Sequence, residues 1–418
     1  MRIRYLLTVV TMLLFTACGA FAEITTIYGS DTFGSVVVIE IPEQTELTVS
    51  LFLAVGAAED GEQEGLAHFA EHRGFVGAQQ AANYRGSINA FTTLRTTEFT
   101  TVATVRSLPD ILTFYGYILE NVSISEELFE IERSRIIREI DVAEGLAISR
   151  REICSAREDV FNTSPWKNCV LGNRSVIETL QANEVEQFQK QYYTRGNSVL
   201  VLSGPVSSEG VQNIIPRTGP AVWSGTPLHT PTFQVRQEYA SGEHQGTALL
   251  AYRFIELAND IDPIVQSAAL TYLAVWGLER FQNQLTETLL GDRHLVRNID
   301  LVIEPIGIGA AMLTVFAELE RGVQPNVAIG KINSAIEYME PEKAELFQPR
   351  LISLETEASQ PQIFQLLLAA ELRNRRAPFD IIEYGQAIRS LRSEDMKNLY
   401  ESLFDSTGWS FWTLKDFD

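Results

Sequence analysis

An ungapped internal match at an offset of half the chain restricts what this sequence can fold into more than any other feature. Residues 177–202, IETLQANEVEQFQKQYYTRGNSVLVL, align with residues 388–413, IRSLRSEDMKNLYESLFDSTGWSFWT. Ile177 meets Ile388, Leu180 meets Leu391, Val185 meets Met396, Phe188 meets Leu399 and Tyr193 meets Phe404, all 211 positions apart. In both copies polar residues lead into an apolar i, i+3, i+7 helix face, and a turn joins that face to a β run. Duplication of a whole domain produces such an offset in a chain of 418 residues. The expected fold class is therefore α+β, built as two homologous α/β-sandwich-like halves.

The remaining punctuation fits that plan. Residues 23–214 form the first half and 232–418 the second. Between them, residues 215–231 carry Pro216, Gly219, Pro220, Gly225, Pro227 and Pro231, the composition of a linker. Within the first half, β-branched runs at 35–41 and 46–55 predict strands, and apolar periodicity predicts helices over 65–72, 108–119, 126–148 and 184–193, followed by a strand over 198–203.

Acidic side chains outnumber basic ones 54 to 33, giving a formal charge of -21. That balance excludes a general nucleic-acid binder, which needs a basic footprint on phosphate. It favours peptide partners of opposite sign, so basic peptides are the expected preference.

Residues 1–22, MRIRYLLTVVTMLLFTACGAFA, have two arginines, a short apolar run and a small-x-small ending. These are the marks of a secretory signal peptide, and the run is too short for a comfortable membrane span. Cleavage after Ala22 gives a periplasmic or secreted protein. A competing cut before Cys18, at LFTAC, gives a lipoprotein tethered through a lipid anchor on Cys18. With Cys18 removed, Cys154 and Cys169 remain. An exported chain with two cysteines is expected to pair them, two buried thiols being the alternative.

The chemistry concentrates at GLAHFAEH. His68 and His72 are two of only five histidines, and their spacing of four places both imidazoles on one helix face, with Glu71 beside them. Zinc is the natural metal for such ligands. The order His-x-x-Glu-His inverts the zincin motif.

With Phe75 and Gly77, this segment resembles the G-L-A-H-F-x-E-H motif of the M16 metallopeptidases, the pitrilysin, insulinase and mitochondrial processing peptidase group. Residues 86–92, GSINAFT, are similar to the family's G-x-x-N-A-x-T stretch, and residues 132–139, ERSRIIRE, to its E-R-x-x-V-x-x-E helix. The resemblance implies a clamshell of two halves holding one Zn2+ ion on His68, His72 and Glu139. It also implies Glu71 as general base, Glu132 supporting the ligands, and a substrate-binding strand containing Asn89 and Ala90. Glu132 as a plain helix charge and Asn89 as an ordinary strand residue remain the alternatives.

Three departures accompany the likeness. The 67 positions from His72 to Glu139 are fewer than usual in the family, the loss falling between Gly77 and Gly86. Arg73 stands where an apolar residue is usual. The family's second half supplies an arginine and a tyrosine for substrate; residues 291–318 offer no tyrosine, and Arg280 is a weak match for the arginine. The expected activity is hydrolysis of short or unfolded peptides by a secreted zinc endopeptidase. Its alternatives are a catalytic subunit that needs a metal-free paralogue, a homodimer, and a peptide-binding homologue without catalysis.

Overall fold

The structure is a computed structural model. It describes residues 25–144, 154, 157, 158, 161, 165–226, 228, 248–256, 270, 295–305, 310–320, 322–324, 327, 328, 330, 331, 368–375, 377 and 409–414. The signal segment, Arg280 and the helical part of the second repeat copy lie outside these residues. Two compact units divide the chain. One joins Met1–Ser134, Ser175–Thr226 and Ser353–Ile381; the other joins Arg135–Arg174, Pro227–Ile352 and Ile382–Asp418.

The first sheet has six strands: β1 (Thr25–Tyr28), β2 (Ser35–Glu40), β3 (Leu47–Leu53), β4 (Asn89–Thr92), β5 (Thr97–Ala103) and β6 (Ser198–Gly204). Their spatial order is β1-β2-β6-β3-β5-β4, parallel between β2 and β6 and antiparallel elsewhere. Strands β2, β3 and β6 read as near-continuous apolar runs because both of their faces are covered. Helices α1 (Leu66–Ala82), α2 (Leu108–Leu119), α3 (Glu126–Glu144), α4 (Ala182–Tyr192) and α5 (Ser208–Ile214) lie between and after these strands, with one further turn of helix at Arg174–Ile177. Helix α3 runs unbroken past Ser134, where the contact units divide.

Side chains alternate across a strand, so register decides which of them share a face. Val37, Ile39, Phe52, Val199 and Val201 project to one side, and there they pack with Leu368 and Leu372. Residues from far along the sequence thus close one face of the N-terminal sheet, each buried leucine contributing roughly 1.5–3 kcal/mol. On the other face, Tyr193 meets Phe99 edge to face, with ring centroids 6.5 Å apart. Part of the expected linker also runs along this sheet: Gly29 N donates to Gly219 O, Thr218 N to Gly29 O and Val222 N to Gly34 O, each at 3.0 Å.

Strands β7 (Ala248–Glu256), β8 (Val296–Pro305), β9 (Ala310–Leu319) and β10 (Trp409–Leu414) form the second sheet, in the order β10-β7-β9-β8. All its pairings are antiparallel. It repeats the β6-β3-β5-β4 part of the first sheet strand for strand, in chain order and in direction. Strand β6 begins at Ser198 and β10 at Trp409, again 211 positions apart. The repeat read from sequence is therefore present in backbone topology.

Sequence periodicity stopped the metal-motif helix at residue 72, yet α1 continues to Ala82. Gly74 and Gly77 blur the pattern, and packing explains Gly74: a Cβ there would lie 2.7 Å from Gln189 Nε2. Strands β1 and β5 were not anticipated. Cys154 and Cys169 form a disulfide with a Cα separation of 5.3 Å. Among the described residues, no helix is long and apolar enough to cross a membrane.

Candidate metal centre

Helix α1 is aimed by its first turn. Gly65 takes φ +98, and both carboxylate oxygens of Asp60 accept amide hydrogens there, Oδ2 from Gly65 N and Oδ1 from Ala67 N, each at 2.7 Å. Two orphan donors of the helix N-terminus are thereby satisfied at a position that favours negative charge. Burial nevertheless pushes the Asp60 carboxyl up to about 8, outweighing the two amides. At its other end, α1 closes on Asn83 in the left-handed region, φ +48.

Between the two histidines of the motif, Phe69 stacks on Phe129 of α3, with ring centroids 4.5 Å apart. The Arg133 guanidinium lies over both rings at 5.8 and 5.1 Å and donates to Leu180 O at 2.7 Å and to Ile177 O. This stack sets the approach of α3 to α1. As a result, one ligand atom from each of His68, His72 and Glu139 lies within 4.8 Å of the other two. The histidine rings stand nearly perpendicular, 84° apart, with centroids separated by 4.9 Å.

Glu132 is 1% exposed, and its Oε2 lies 3.1 Å from His72 Nδ1. A carboxylate on one ring nitrogen fixes the tautomer and leaves Nε2 for an ion. Two imidazoles, one of them held by a carboxylate, and one glutamate carboxylate make a donor set that zinc prefers, so these residues fit the ion.

Glu71 is buried on the same helix, and its Oε2 accepts a 2.7 Å hydrogen bond from Thr92 Oγ1 at the end of β4. Asn89 and Ala90 lie on that strand, the last of the sheet, with β5 as its single neighbour. Buried Tyr193 is close by. Burial, and next the Glu71 carboxylate, push its phenol well above the usual range, which keeps it neutral. Arg73 is buried as well: its Nη1 donates to Gln189 Oε1, and Gln189 Nε2 donates to Ala70 O at 2.8 Å. The polar side chain at an ordinarily apolar position thus braces α1 against α4.

The structure brings His68, His72 and Glu139 together, puts Glu132 against His72, holds Glu71 of the same helix through Thr92, and leaves Asn89 and Ala90 on the sheet edge. Sequence reading passed over the roles of Thr92, Asp60 and Arg73. Thr92 was signalled, as the last residue of the GSINAFT stretch, and Asp60 as an acidic residue upstream of a helix. Arg73 had no signal for its partner, because Gln189 lies 116 positions away.

Residues 35–166 match the family model described as Insulinase (Peptidase family M16). The mitochondrial-processing peptidase subunit beta of Caenorhabditis elegans is 27% identical over 175 residues, which are 39% of this chain and 38% of that protein. A Rickettsia bellii protein named an uncharacterized zinc protease is 24% identical over 191 residues, 42% of this chain and 45% of that one. The chain thus matches less than half the length of these curated relatives. The solved peptidase M16 inactive domain from Pseudomonas fluorescens has the same fold, with a TM-score of 0.67 at 14% identity over 94% of this chain and all of that one. Residues 35–166 thus match the M16 peptidase family model, and the fold likeness to the solved M16 domain covers 94% of this chain.

Proposed function

We propose that this chain is a zinc-dependent endopeptidase acting on short or unfolded peptides. The observation that carries the reading is the convergence of His68, His72 and Glu139 beside a carboxylate that is not one of the three, Glu71, held by the edge strand. Zinc, when bound by such a set, polarises the scissile carbonyl and lowers the pKa of water to about 7. His68, His72 and Glu139 would hold the ion, and Glu132 would orient His72. Glu71 takes the proton from the attacking water and returns it to the leaving amine. Thr92 keeps the Glu71 carboxylate turned toward β4. A peptide adds to the open side of β4 at Asn89 and Ala90 through main-chain hydrogen bonds, a mode that reads little side-chain identity. The net charge of -21 supports a preference for basic peptides at low salt.

Export is part of the same proposal, with cleavage after Ala22; mass spectrometry of the mature N-terminus distinguishes it from lipid on Cys18. The Cys154–Cys169 disulfide supports an oxidising compartment.

A second reading makes the chain the catalytic subunit of a heteropair. The relative named as a peptidase subunit favours it. One experiment tests both: metal content and cleavage of an unstructured basic peptide by the purified chain alone. Zinc with cleavage supports the first reading, and zinc with cleavage only after a second chain is added supports the heteropair. A metal-free, inactive chain would overturn both and leave peptide binding without catalysis.

A further inference from the structure

We infer that residues from far beyond the catalytic half act on this site through two positioning residues, Arg373 and Arg375, which hold the peptide-binding hairpin β4–β5 against the start of the metal helix. The inference rests on the proposed peptidase reading for its kinetic consequence, though its structural content is independent of it.

Residues 368–373 are helical, and the chain turns at Arg375 with φ +59. A non-glycine residue in that region is strained and persists where its surroundings over-determine it. Arg375 is over-determined to an unusual degree. It is 5% exposed. Its Nη1 and Nη2 donate to Glu59 Oε1 and Oε2 at 2.7 and 2.5 Å, its Nε donates to Arg95 O at 2.5 Å, and its carbonyl accepts from Trp223 Nε1 at 3.1 Å.

The two partners of that guanidinium belong to loops that matter. Glu59 ends the short turn Ala57–Glu59 leading toward α1, and its Oε2 also accepts from Gly56 N at 2.9 Å. Arg95 lies in the loop between β4 and β5. Backbone bonds already join the two: Ala57 N donates to Thr93 O at 3.1 Å and Ala58 N to Leu94 O at 2.8 Å. Arg375 pins this junction from a third direction, 316 positions from Glu59 in sequence.

Arg373 holds the hairpin on its flat side. Its Nε and Nη2 donate to Glu98 Oε2 at 3.0 and 2.8 Å, and its guanidinium lies over the Phe91 ring at 5.2 Å. Phe91 of β4 and Glu98 of β5 are register partners. Because side chains alternate, Phe91 faces away from Thr92, whose hydroxyl reaches Glu71. Strand β4 is thus gripped by Arg373 on one face and tied to Glu71 on the other.

A four-residue edge strand with one neighbour specifies its own register weakly. Added peptide inherits that register, so a looser hairpin lengthens or tilts the path between peptide and Glu71. Charge-assisted forks of the Arg375 kind are strong and geometrically exacting, which suits them to fix it. Lysine keeps the charge but cannot make the fork.

The test uses the full chain as Arg375→Lys, Glu59→Gln and Arg373→Gln, read by hydrogen exchange and by steady-state cleavage of an unstructured peptide. Exchange of the amides in 56–59 and 89–97 should accelerate about tenfold or more in each variant, the scale of one charge-assisted bond, while β2 and β6 keep their protection and zinc content stays the same. KM should rise about tenfold with a smaller change in kcat, since register affects how peptide is held. Unchanged exchange in the hairpin across all three variants would overturn the inference. So would a fall in kcat at constant KM, because that reports only a smaller folded fraction. Faster hairpin exchange in the variants, with a wild-type protein that cleaves nothing, would uphold the clamp while removing the peptidase reading. If Arg375→Lys does not fold, Glu59→Gln, which leaves the guanidinium in place, decides by the same readouts.

Discussion

Thr92 Oγ1 donates to Glu71 Oε2 at 2.7 Å, so the last residue of β4 is hydrogen-bonded to the proposed general base. Strand β4 and helix α1 are connected there through side chains, across 21 positions of sequence. Thr92→Val should lower kcat about tenfold, the loss of one hydrogen bond to a charged acceptor. Thr92→Ser should restore most of it, and equal kcat in the valine and serine variants would argue against the connection.

Glu71 and Glu139 are both glutamates near the same histidines, and they should fail in different ways. Glu71→Gln should keep zinc and lose turnover by about 10² to 10⁴, since an amide accepts no proton. Glu139→Gln, His68→Ala and His72→Ala should lose metal, because each removes one of three ligands. Metal analysis beside the activity assay separates the two classes. Undiminished zinc in the Glu139 variant would move the third ligand elsewhere, with Glu132 or Glu144 of α3 next in line.

Glu132 lies behind His72 and should act on the metal through it. Glu132→Gln is expected to weaken zinc affinity about 10- to 100-fold, as removal of a partner to a ligating histidine does. Competition with a chelator measures this directly, with no need for a substrate.

Asp60 gives the stability of the first half a particular pH dependence. An unfolded aspartate titrates near 3.9, whereas the folded carboxyl is pushed up to about 8. Between those values the folded chain retains a proton that the unfolded chain has released. The stability linked to this group is therefore full below about pH 4 and is lost as pH rises through about 8. The difference in melting temperature between wild type and Asp60→Asn should shrink from pH 5 to pH 8. A difference that stays constant, or grows with pH, would show that the two amide bonds outweigh burial.

Much of this architecture is legible in the residues because it is local or periodic. The runs that became β2, β3 and β6 are apolar on both sides since both of their faces are buried, and such runs stand out in any sequence. His68 and His72 are four apart on a helix, so their convergence needs no tertiary information. The offset between residues 198 and 409 was readable for the same reason: duplication preserves spacing. What escaped detection depends on pairings across long intervals. Arg373 and Arg375 sit in a charged stretch that looks solvated, and nothing near them names Glu98 or Glu59 as partners. Helix α1 was read too short because glycines that serve close packing, Gly74 against Gln189 of α4 and Gly77 against Val122, look like helix breakers when those neighbours are unknown.

The packing of Leu368 and Leu372 onto Val37, Phe52 and Val199 has a consequence for how the protein must be made. Synthesis proceeds from the N-terminus, and the last strand of the first sheet is complete at Gly204. Leu368 emerges 164 residues afterwards, which at a translation rate of roughly 5–20 residues per second is a delay on the order of ten to thirty seconds. Throughout that interval one apolar face of a finished sheet waits on the nascent chain without its cover.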